Sequence, residues 1–258
     1  MRWLAILLVL SLAACATKMG KDGQTRTTMD AKYLIKTEVD RIADTVRGEA
    51  REGLMQIADK LYRRNPREWK KAGVASREAA LARLKNRNLR SPPELGGLRE
   101  GQAAALAFSE TFEGDRVAAL MFGLLTMTDA AFEHKDEFYI LDSLNEQKLY
   151  NAARNMEIAI WKLGNDRNQA GELFLLSNEL DPANRNLSFE REFGRQIGLH
   201  DLMANIVADR NGRGISRVSQ SVVSTIFLPV GFLKGRRDGN MKYLNEYRNA
   251  EAAKKGRP

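Results

Sequence analysis

The stretch VAALMFGLLTMTDAAF, residues 117–132, decides the fold of this chain. Nearly all of its residues are apolar, whichever way a helix would turn them. A helix that is apolar all round is stable only when neighbouring elements cover it. We therefore predict that these residues form a buried helix at the centre of the protein.

A long amphipathic helix is predicted on the N-terminal side of this centre. From Met29 to Arg64, apolar residues recur every three or four positions, which places one stripe along a helix roughly 50 Å long. Thr28 or Asp30 would cap its start, and Asn65-Pro66 would end it. The stripe consists of Ile35, Val39, Ile42, Val46, Ala50, Leu54, Ile57 and Leu61.

Shorter helical patterns fill most of the remaining chain. Period-two alternation typical of strands is almost absent. We therefore predict an all-α fold, either a multi-helix bundle or an irregular helical array, with the long amphipathic helix at its N-terminal end. The shorter helices are predicted at 66–71, from a Ser76 cap to about 87, and at 102–108, 145–163, 168–179, 188–208, 215–227 and 241–254.

One of these patterns resembles a known repeat. Residues 165–182 resemble the second helix of a tetratricopeptide repeat, with Ala170, Phe174, Ser177 and Pro182 at the expected offsets. No second copy follows at a period of about 34 residues, and solenoids need at least three repeats. The resemblance therefore predicts one helical hairpin, with a degenerate repeat array as the alternative.

The N-terminus has the features of a secretory signal. Arg2 supplies a positive start, and residues 4–12 form an apolar stretch that is too short to span a bilayer of about 30 Å. Small residues follow it. We therefore predict that residues 1–14 are a signal peptide.

The four residues at the end of this signal also form a motif. Leu12-Ala13-Ala14-Cys15 resembles the lipobox of bacterial lipoproteins. The resemblance implies that Cys15 becomes the first mature residue and carries covalent lipid. Apart from this lipid, we predict no cofactor. Aspartate, the family's inner-membrane retention signal, is absent at Ala16. The resemblance thus implies anchoring to the outer membrane, with the body facing the periplasm.

The predicted location divides the chain into segments and changes which partner its net positive charge suggests. Residues 15–28 are predicted to be a lipidated cysteine and flexible tether, and residues 29–258 a helical domain with a candidate sub-boundary at 90–97. The chain has 41 basic and 33 acidic residues. With a periplasmic location we predict no nucleic-acid partner; this basic surface would either attract anionic lipid headgroups or serve only solubility.

The reactive side chains are few. The chain has one cysteine and two histidines. This inventory excludes an intramolecular disulfide and a Cys/His zinc site, and it disfavours a catalytic triad. The acidic residues between 133 and 146 lack the Glu-x-x-His spacing of helical carboxylate sites, so we predict no metal site.

The C-terminal part has one candidate contact surface. From residue 218 to 233 there are no charges, and a basic cluster follows. The apolar face of this segment would pack in the core or would meet a membrane or a partner, with the basic end near phosphates. The predicted contact residues are Val222, Ile226, Phe227, Lys234, Arg236 and Arg237.

One short string suggests an enzyme. Residues 53–57, GLMQI, resemble a segment of lysozyme-like lytic transglycosylases, and Glu38 lies at the distance of that family's general acid. Val39 stands where the family has serine, and residues 39–52 form a helix-compatible run where the family turns the chain. Enzymatic cleavage of peptidoglycan is therefore an alternative, not the main prediction.

The main prediction is a non-enzymatic protein of the cell envelope. It would be anchored by lipid to the outer membrane and would bind or scaffold an envelope protein or polymer. A second alternative is a carrier of a lipid or small apolar ligand, with its pocket near residues 117–132. An exposed groove would favour the scaffold, and an internal cavity would favour the carrier.

Overall fold

The computed structural model describes residues 17–19, 25–27, 36–85, 91–179, 181–216 and 226–231. The fold is all-α, as predicted, and forms an irregular helical array. A single 3₁₀ turn at Pro93–Leu95 accompanies the α-helices of the described part. These α-helices are α1 Glu38–Arg64, α2 Pro66–Lys71, α3 Arg77–Lys85, α4 Glu100–Leu106, α5 Arg116–Ala131, α6 Glu146–Asn165 and α7 Ser188–Asn211.

Helix α5 is the centre of the array, and the prediction for residues 117–132 is confirmed. Every residue of α5 except its first, Arg116, and Asp129 is buried. Helices α2, α3, α4 and α6 all pack against it. Burial on every side explains why the sequence here shows no amphipathic pattern.

The tightest contact in this centre is between α5 and α4. A Cβ atom at Gly123 would lie 2.5 Å from the backbone nitrogen of Ala104 and 2.6 Å from the carbonyl oxygen of Glu100. Both neighbours are backbone atoms, which cannot move aside as a side-chain end can. Glycine at position 123 therefore sets how closely the two helices approach.

The start of α1 differs from the prediction. The helix begins at Glu38, not near Met29, because Thr37 and Asp40 form a reciprocal cap. The Asp40 backbone N–H donates to Thr37 Oγ1 at 3.2 Å, and the Thr37 N–H donates to Asp40 Oδ2 at 2.8 Å. Residues 29–35 lie outside the described part of the chain.

The rest of α1 follows the sequence pattern. The stripe is buried from Val46 to Leu61, whereas Ile42 is exposed. The helix runs without interruption through Gly53, which lies against the side chain of Gln196 from α7. Pro66 separates α1 from α2, as predicted.

Several of the shorter helices are also confirmed. The Ser76 hydroxyl accepts from the backbone N–H of Ala79 at 3.1 Å and caps α3. Asn145 caps α6 in the same way, accepting from Gln147 and Lys148. Helices α6 and α7 share the most extensive helix–helix contact described. The predicted helix at 241–254 lies outside the described residues.

The predicted helix at 168–179 is wrong. These residues form an irregular loop, in which Asn168 and Glu172 exchange backbone and side-chain hydrogen bonds. Gly171 adopts φ +79°, a left-handed conformation that closes this turn and stops a helix. The resemblance to a tetratricopeptide repeat therefore does not extend to the structure.

A helix is also predicted at 215–227, of which the structure describes residues 215–216 and 226–227. None of these four residues is helical, so the prediction is wrong for them. Residues 226–231 have no regular secondary structure and are held by side-chain amides. The Asn155 amide donates to the carbonyl of Leu228 at 2.8 Å and accepts from the Leu228 N–H at 2.6 Å. Asn151 donates to the carbonyl of Pro229 at 2.9 Å. These bonds satisfy a backbone that has no helix or sheet partner there.

The chain divides into two compact units. The smaller comprises residues 1–44 and 136–143, and the larger comprises residues 45–135 and 144–258. Within the smaller unit, strands β1 Thr17–Met19 and β2 Thr25–Thr27 pair antiparallel, with Thr17 opposite Thr27. These strands lie in the segment that was expected to be a flexible tether.

The α4–α5 contact generates a stability prediction. Gly123→Ala should lower the free energy of unfolding by about 1–3 kcal/mol, because the new methyl group meets backbone on the facing helix. Gly48→Ala is the matched control. It sits inside α1 with nothing within 4 Å of the added Cβ, and should be neutral or stabilising by about 0.5–1 kcal/mol. Equal effects in urea unfolding would contradict the contact.

Candidate functional site

A pocket of about 600 Å³ opens at the N-terminal end of α5. It lies within the larger unit, and α1, α3, the 3₁₀ turn and α5 all contribute to its walls. Its lining combines apolar side chains with a nearly equal share of polar surface, and small-ligand sites likewise combine an apolar lining with placed polar groups. The apolar lining includes Val74, Ala80, Leu84, Pro92, Ala118 and Phe122.

Asp115 and Tyr62 are the buried polar groups of this pocket. Each residue is 1% exposed. Asp115 precedes α5 and caps it, because its Oδ1 accepts from the Ala118 N–H at 2.8 Å. Its Oδ2 accepts from the Tyr62 hydroxyl at 2.9 Å, which joins the end of α1 to the start of α5.

Burial controls the protonation of this pair. Burial raises the pKa of the Asp115 carboxyl to about 6, while the hydrogen bonds from Ala118 and Tyr62 oppose the rise. The nearby carboxylate of Glu68 raises it further. Burial and the charge of Asp115 also raise the pKa of Tyr62, so the phenol stays protonated and donates.

Glu68 is a second buried acid at the start of α5. It is 7% exposed, and its Oε2 accepts from the Arg116 backbone N–H at 2.9 Å. Its Oε1 accepts from the Lys71 ammonium at 2.7 Å. Two carboxylates therefore bind free N–H groups at this helix end, where the helix dipole favours negative charge.

The Arg116 side chain closes the same corner of the fold. Its guanidinium donates to the carbonyl oxygens of Ala107 at 3.0 Å and Ser109 at 2.8 Å. It also lies 4.8 Å from the ring centroid of Phe174. Burial lowers its pKa, whereas neighbouring Glu68 opposes that change.

The pocket suits an amphipathic small molecule. Both carboxylate oxygens of Asp115 already have donors, so they hold the wall in place. Arg83, Ser91 and Glu94 also line the pocket and offer donors and acceptors to a ligand. The apolar part of such a ligand would lie against Phe122.

A larger and more open groove, of about 840 Å³, lies between α1 and α3. Met55, Leu81 and Ala82 provide its apolar lining. Charged side chains of both signs surround this lining, and some of them are paired: Asp59 bridges Arg63 at 2.8 Å and Arg77 at 3.3 Å. We call this surface the α1–α3 groove.

Of the predicted contact residues, the structure describes only Ile226 and Phe227. Val222, Lys234, Arg236 and Arg237 lie outside the described residues, as does Cys15. Phe227 is 7% exposed and lies against Gly101 of α4, so it packs in the core. Core packing was the other interpretation of this apolar face, and it applies to Phe227. Ile226 is half-buried.

Glu38 does not have the surroundings of a general acid. It lies in the first turn of α1, its side chain is 82% exposed, and it bridges Arg41 at 2.9 Å. A general acid at a glycosidic bond normally sits against an apolar wall that raises its pKa. Gly53, the first residue of the GLMQI string, is buried by Gln196 on the same continuous helix.

The acidic residues near the centre are engaged in ion pairs and hydrogen bonds. Glu133 bridges Lys148 at 2.7 Å, and Glu146 accepts from Asn211 at 3.1 Å. Within the described ranges, no group of three histidine, cysteine, aspartate or glutamate side chains is placed to hold a metal ion. His200 is fully buried, and burial lowers its pKa.

Sequence reasoning missed Asp115 and Tyr62. A signal for Asp115 was present, because aspartate directly before a helical run is a preferred N-cap. Tyr62 gave no such signal, since it stands beside the apolar stripe of α1. Their pairing across 53 positions depends on how α1 packs, which local patterns do not contain.

No protein-family model, no curated protein and no solved structure matches this chain. None of the described helices is both long enough and apolar enough to cross a membrane. The candidate site is therefore defined by its own distances, burial and hydrogen bonds.

Asp115 gives a pH-dependent prediction. Its folded pKa of about 6 lies above the ordinary 3.8, so the folded state binds the proton more tightly. Proton binding at Asp115 therefore contributes its full stabilisation below pH 3.8. This contribution is lost as the pH rises through 6, which lowers the free energy of unfolding by about 3 kcal/mol. Asp115→Asn should remove this dependence.

Urea unfolding between pH 4 and pH 8 measures this effect. The stability of Asp115→Asn relative to wild type should increase by about 2–3 kcal/mol over that range. Glu113→Gln, at an exposed position close in sequence, is the control and should show no such trend. A difference between Asp115→Asn and wild type that is constant with pH would contradict the prediction.

Proposed function

We propose that this chain is a lipid-anchored, non-enzymatic binding protein of the bacterial cell envelope. In this proposal, lipid on Cys15 holds it to the outer membrane, and the helical body on the periplasmic face binds a partner protein or an envelope polymer. The Leu12–Cys15 pattern and the residue Ala16 support the anchor and the membrane.

The α1–α3 groove carries the binding part of the proposal. It is open and has an apolar lining surrounded by charges of both signs. Such a surface suits an amphipathic segment of a partner, whose apolar side chains would cover Met55 and Leu81. Its charged side chains would face the rim, where Lys60 also bridges Glu192 at 3.5 Å.

A carrier of a small apolar ligand is the second candidate function. The specific observation that favours it is the pocket at Asp115, whose wall includes Ala118 and Phe122 from the central helix. Its volume of about 600 Å³ lies in the range of small-ligand sites. The enzymatic alternative has no comparable support, because Glu38 is exposed and ion-paired.

Cys15→Ser tests the anchor. In bacteria fed labelled palmitate, the native protein should carry label and sediment with outer membranes. The variant should carry none, because serine offers no thiol for lipid attachment. An equally labelled Cys15→Ser protein would contradict lipidation at this residue.

Site-specific photocrosslinking in cells tests the groove. A photoreactive side chain at Met55 should give a defined adduct, and Leu81→Asp should weaken it by placing a charge in the apolar lining. The same probe at Leu176, a half-exposed residue outside the groove, is the control. Equal adducts at both positions would contradict a groove partner. A missing adduct together with a copurifying small ligand would favour the carrier.

A further inference from the structure

The smaller unit presents two large apolar side chains at the tip of a turn. Leu141 is 94% exposed and its neighbour Ile140 is 56% exposed. The turn is closed twice: the Asp142 N–H donates to the Tyr139 carbonyl at 2.7 Å, and the Tyr139 N–H donates to Asp142 Oδ2 at 3.0 Å. We call residues 139–142 the apolar turn.

Contacts within the same unit hold the apolar turn in place. The Lys36 ammonium lies 4.7 Å from the ring centroid of Tyr139, and the Tyr139 hydroxyl donates to Glu137 at 2.6 Å. Asp44 pairs with Lys36 and accepts from the Phe138 N–H at 2.8 Å. Because the backbone on this side is fixed, the exposure of Ile140 and Leu141 is a property of the fold.

The two residues differ from the other exposed apolar side chains described. Those stand singly along the sequence, as at Leu176 and Leu202, and single exposed apolar residues are normal. Ile140 and Leu141 form the only adjacent pair of exposed large apolar residues in the described part, and they occupy a turn tip. A rigid apolar tip is suited to entering a lipid interface, because little else on the turn must be desolvated.

The pairing of β1 and β2 limits how far Cys15 can lie from this tip. Thr17 lies opposite Thr27. The distance between Cys15 and Lys36 is therefore spanned by the two residue steps from Cys15 to Thr17, the width of the strand pair, and the nine steps from Thr27 to Lys36. At the maximum extension of the chain, this path is at most about 45 Å long. Lys36 touches Tyr139, next to the exposed pair.

We propose that Ile140 and Leu141 insert into the interface of the bilayer that holds the Cys15 lipid. This inference rests on the proposed function, because the lipid brings the turn to the membrane at high effective concentration. Even a weak insertion then holds the unit against the membrane. The two contacts together fix which side of the unit faces the lipid.

The carboxylates at the base of the apolar turn are already engaged. Glu137 pairs with Lys36 at 3.4 Å and accepts from the Tyr139 hydroxyl, and Asp142 accepts from the Tyr139 N–H. Insertion therefore depends on the two apolar side chains, so it should occur at a zwitterionic interface and should depend little on salt. Attraction of the basic residues Lys234, Arg236 and Arg237 would show the opposite dependence.

A single-thiol probe tests the insertion. The native sequence has one cysteine, which the lipid blocks, so Leu141→Cys introduces a unique free thiol for an environment-sensitive fluorophore. The protein, purified as cells make it, is reconstituted in phosphatidylcholine vesicles. The probe emission should shift to shorter wavelength, and nitroxide groups on the lipid chains should quench it. Leu202→Cys, at a similarly exposed leucine outside the turn, is the control and should behave as in water.

Three other results would overturn the insertion. The first is a water-like emission spectrum of the probe at position 141 on vesicles that carry the protein, and the second is a spectral shift that occurs only with anionic lipid. The third is a spectral shift without vesicles, which would indicate that a second copy of the chain covers the turn. The anchor is judged separately, from flotation with vesicles and from the mass of the peptide that contains Cys15. Failure of the insertion and failure of the anchor are thus distinguishable.

Discussion

The close approach of α4 to Gly123 is the constraint on which the larger unit depends. Helix α5 has no solvent-facing side, so each neighbour must present small or apolar residues to it. Ala103 and Ala104 do this on α4, and the missing side chain at Gly123 brings the two backbones together. The other contacts of α5 are built around this pair of helices.

The polar groups of this unit are concentrated where α5 begins. A completely buried helix still has free N–H groups at its first turn, and these need acceptors. Asp115 and Glu68 supply them from the interior, and burial raises the pKa of the Asp115 carboxyl. The pocket with the pair Asp115–Tyr62 is thus a by-product of capping a buried helix, which gives it rigid walls.

The sequence predicted the helices far better than the contacts between them. The apolar repeat of α1, the uniform apolarity of α5 and the Ser76 cap each contain their own local cause. The segment at 168–179 has a helical pattern of apolar residues, but the turn at Asn168–Glu172, with Gly171 in a left-handed conformation, stops a helix there. Local turn chemistry decided against the periodicity in this case.

The candidate site was largely hidden from sequence reasoning. Asp115 could have been recognised as a cap, but its partner Tyr62 and the neighbouring Glu68 come from distant helices. The proposed anchor at Cys15 is the reverse case, because the resemblance to a lipobox is a linear pattern that needs no fold. The proposed location thus follows from consecutive residues, whereas the candidate binding surface depends on the three-dimensional structure.

The irregular segment 226–231 has an effect on cooperativity. Asn155 and Asn151 hold this segment through its carbonyl and N–H groups, and Glu100 accepts from the Gly231 N–H at 2.8 Å. Asn155 is completely buried, so without the segment its amide would lose both hydrogen bonds to Leu228 and keep only the weak acceptor Met127 Sδ, at 3.0 Å. A late part of the sequence therefore completes the core of α4 and α6, and these helices and the segment must reach their native state as one unit.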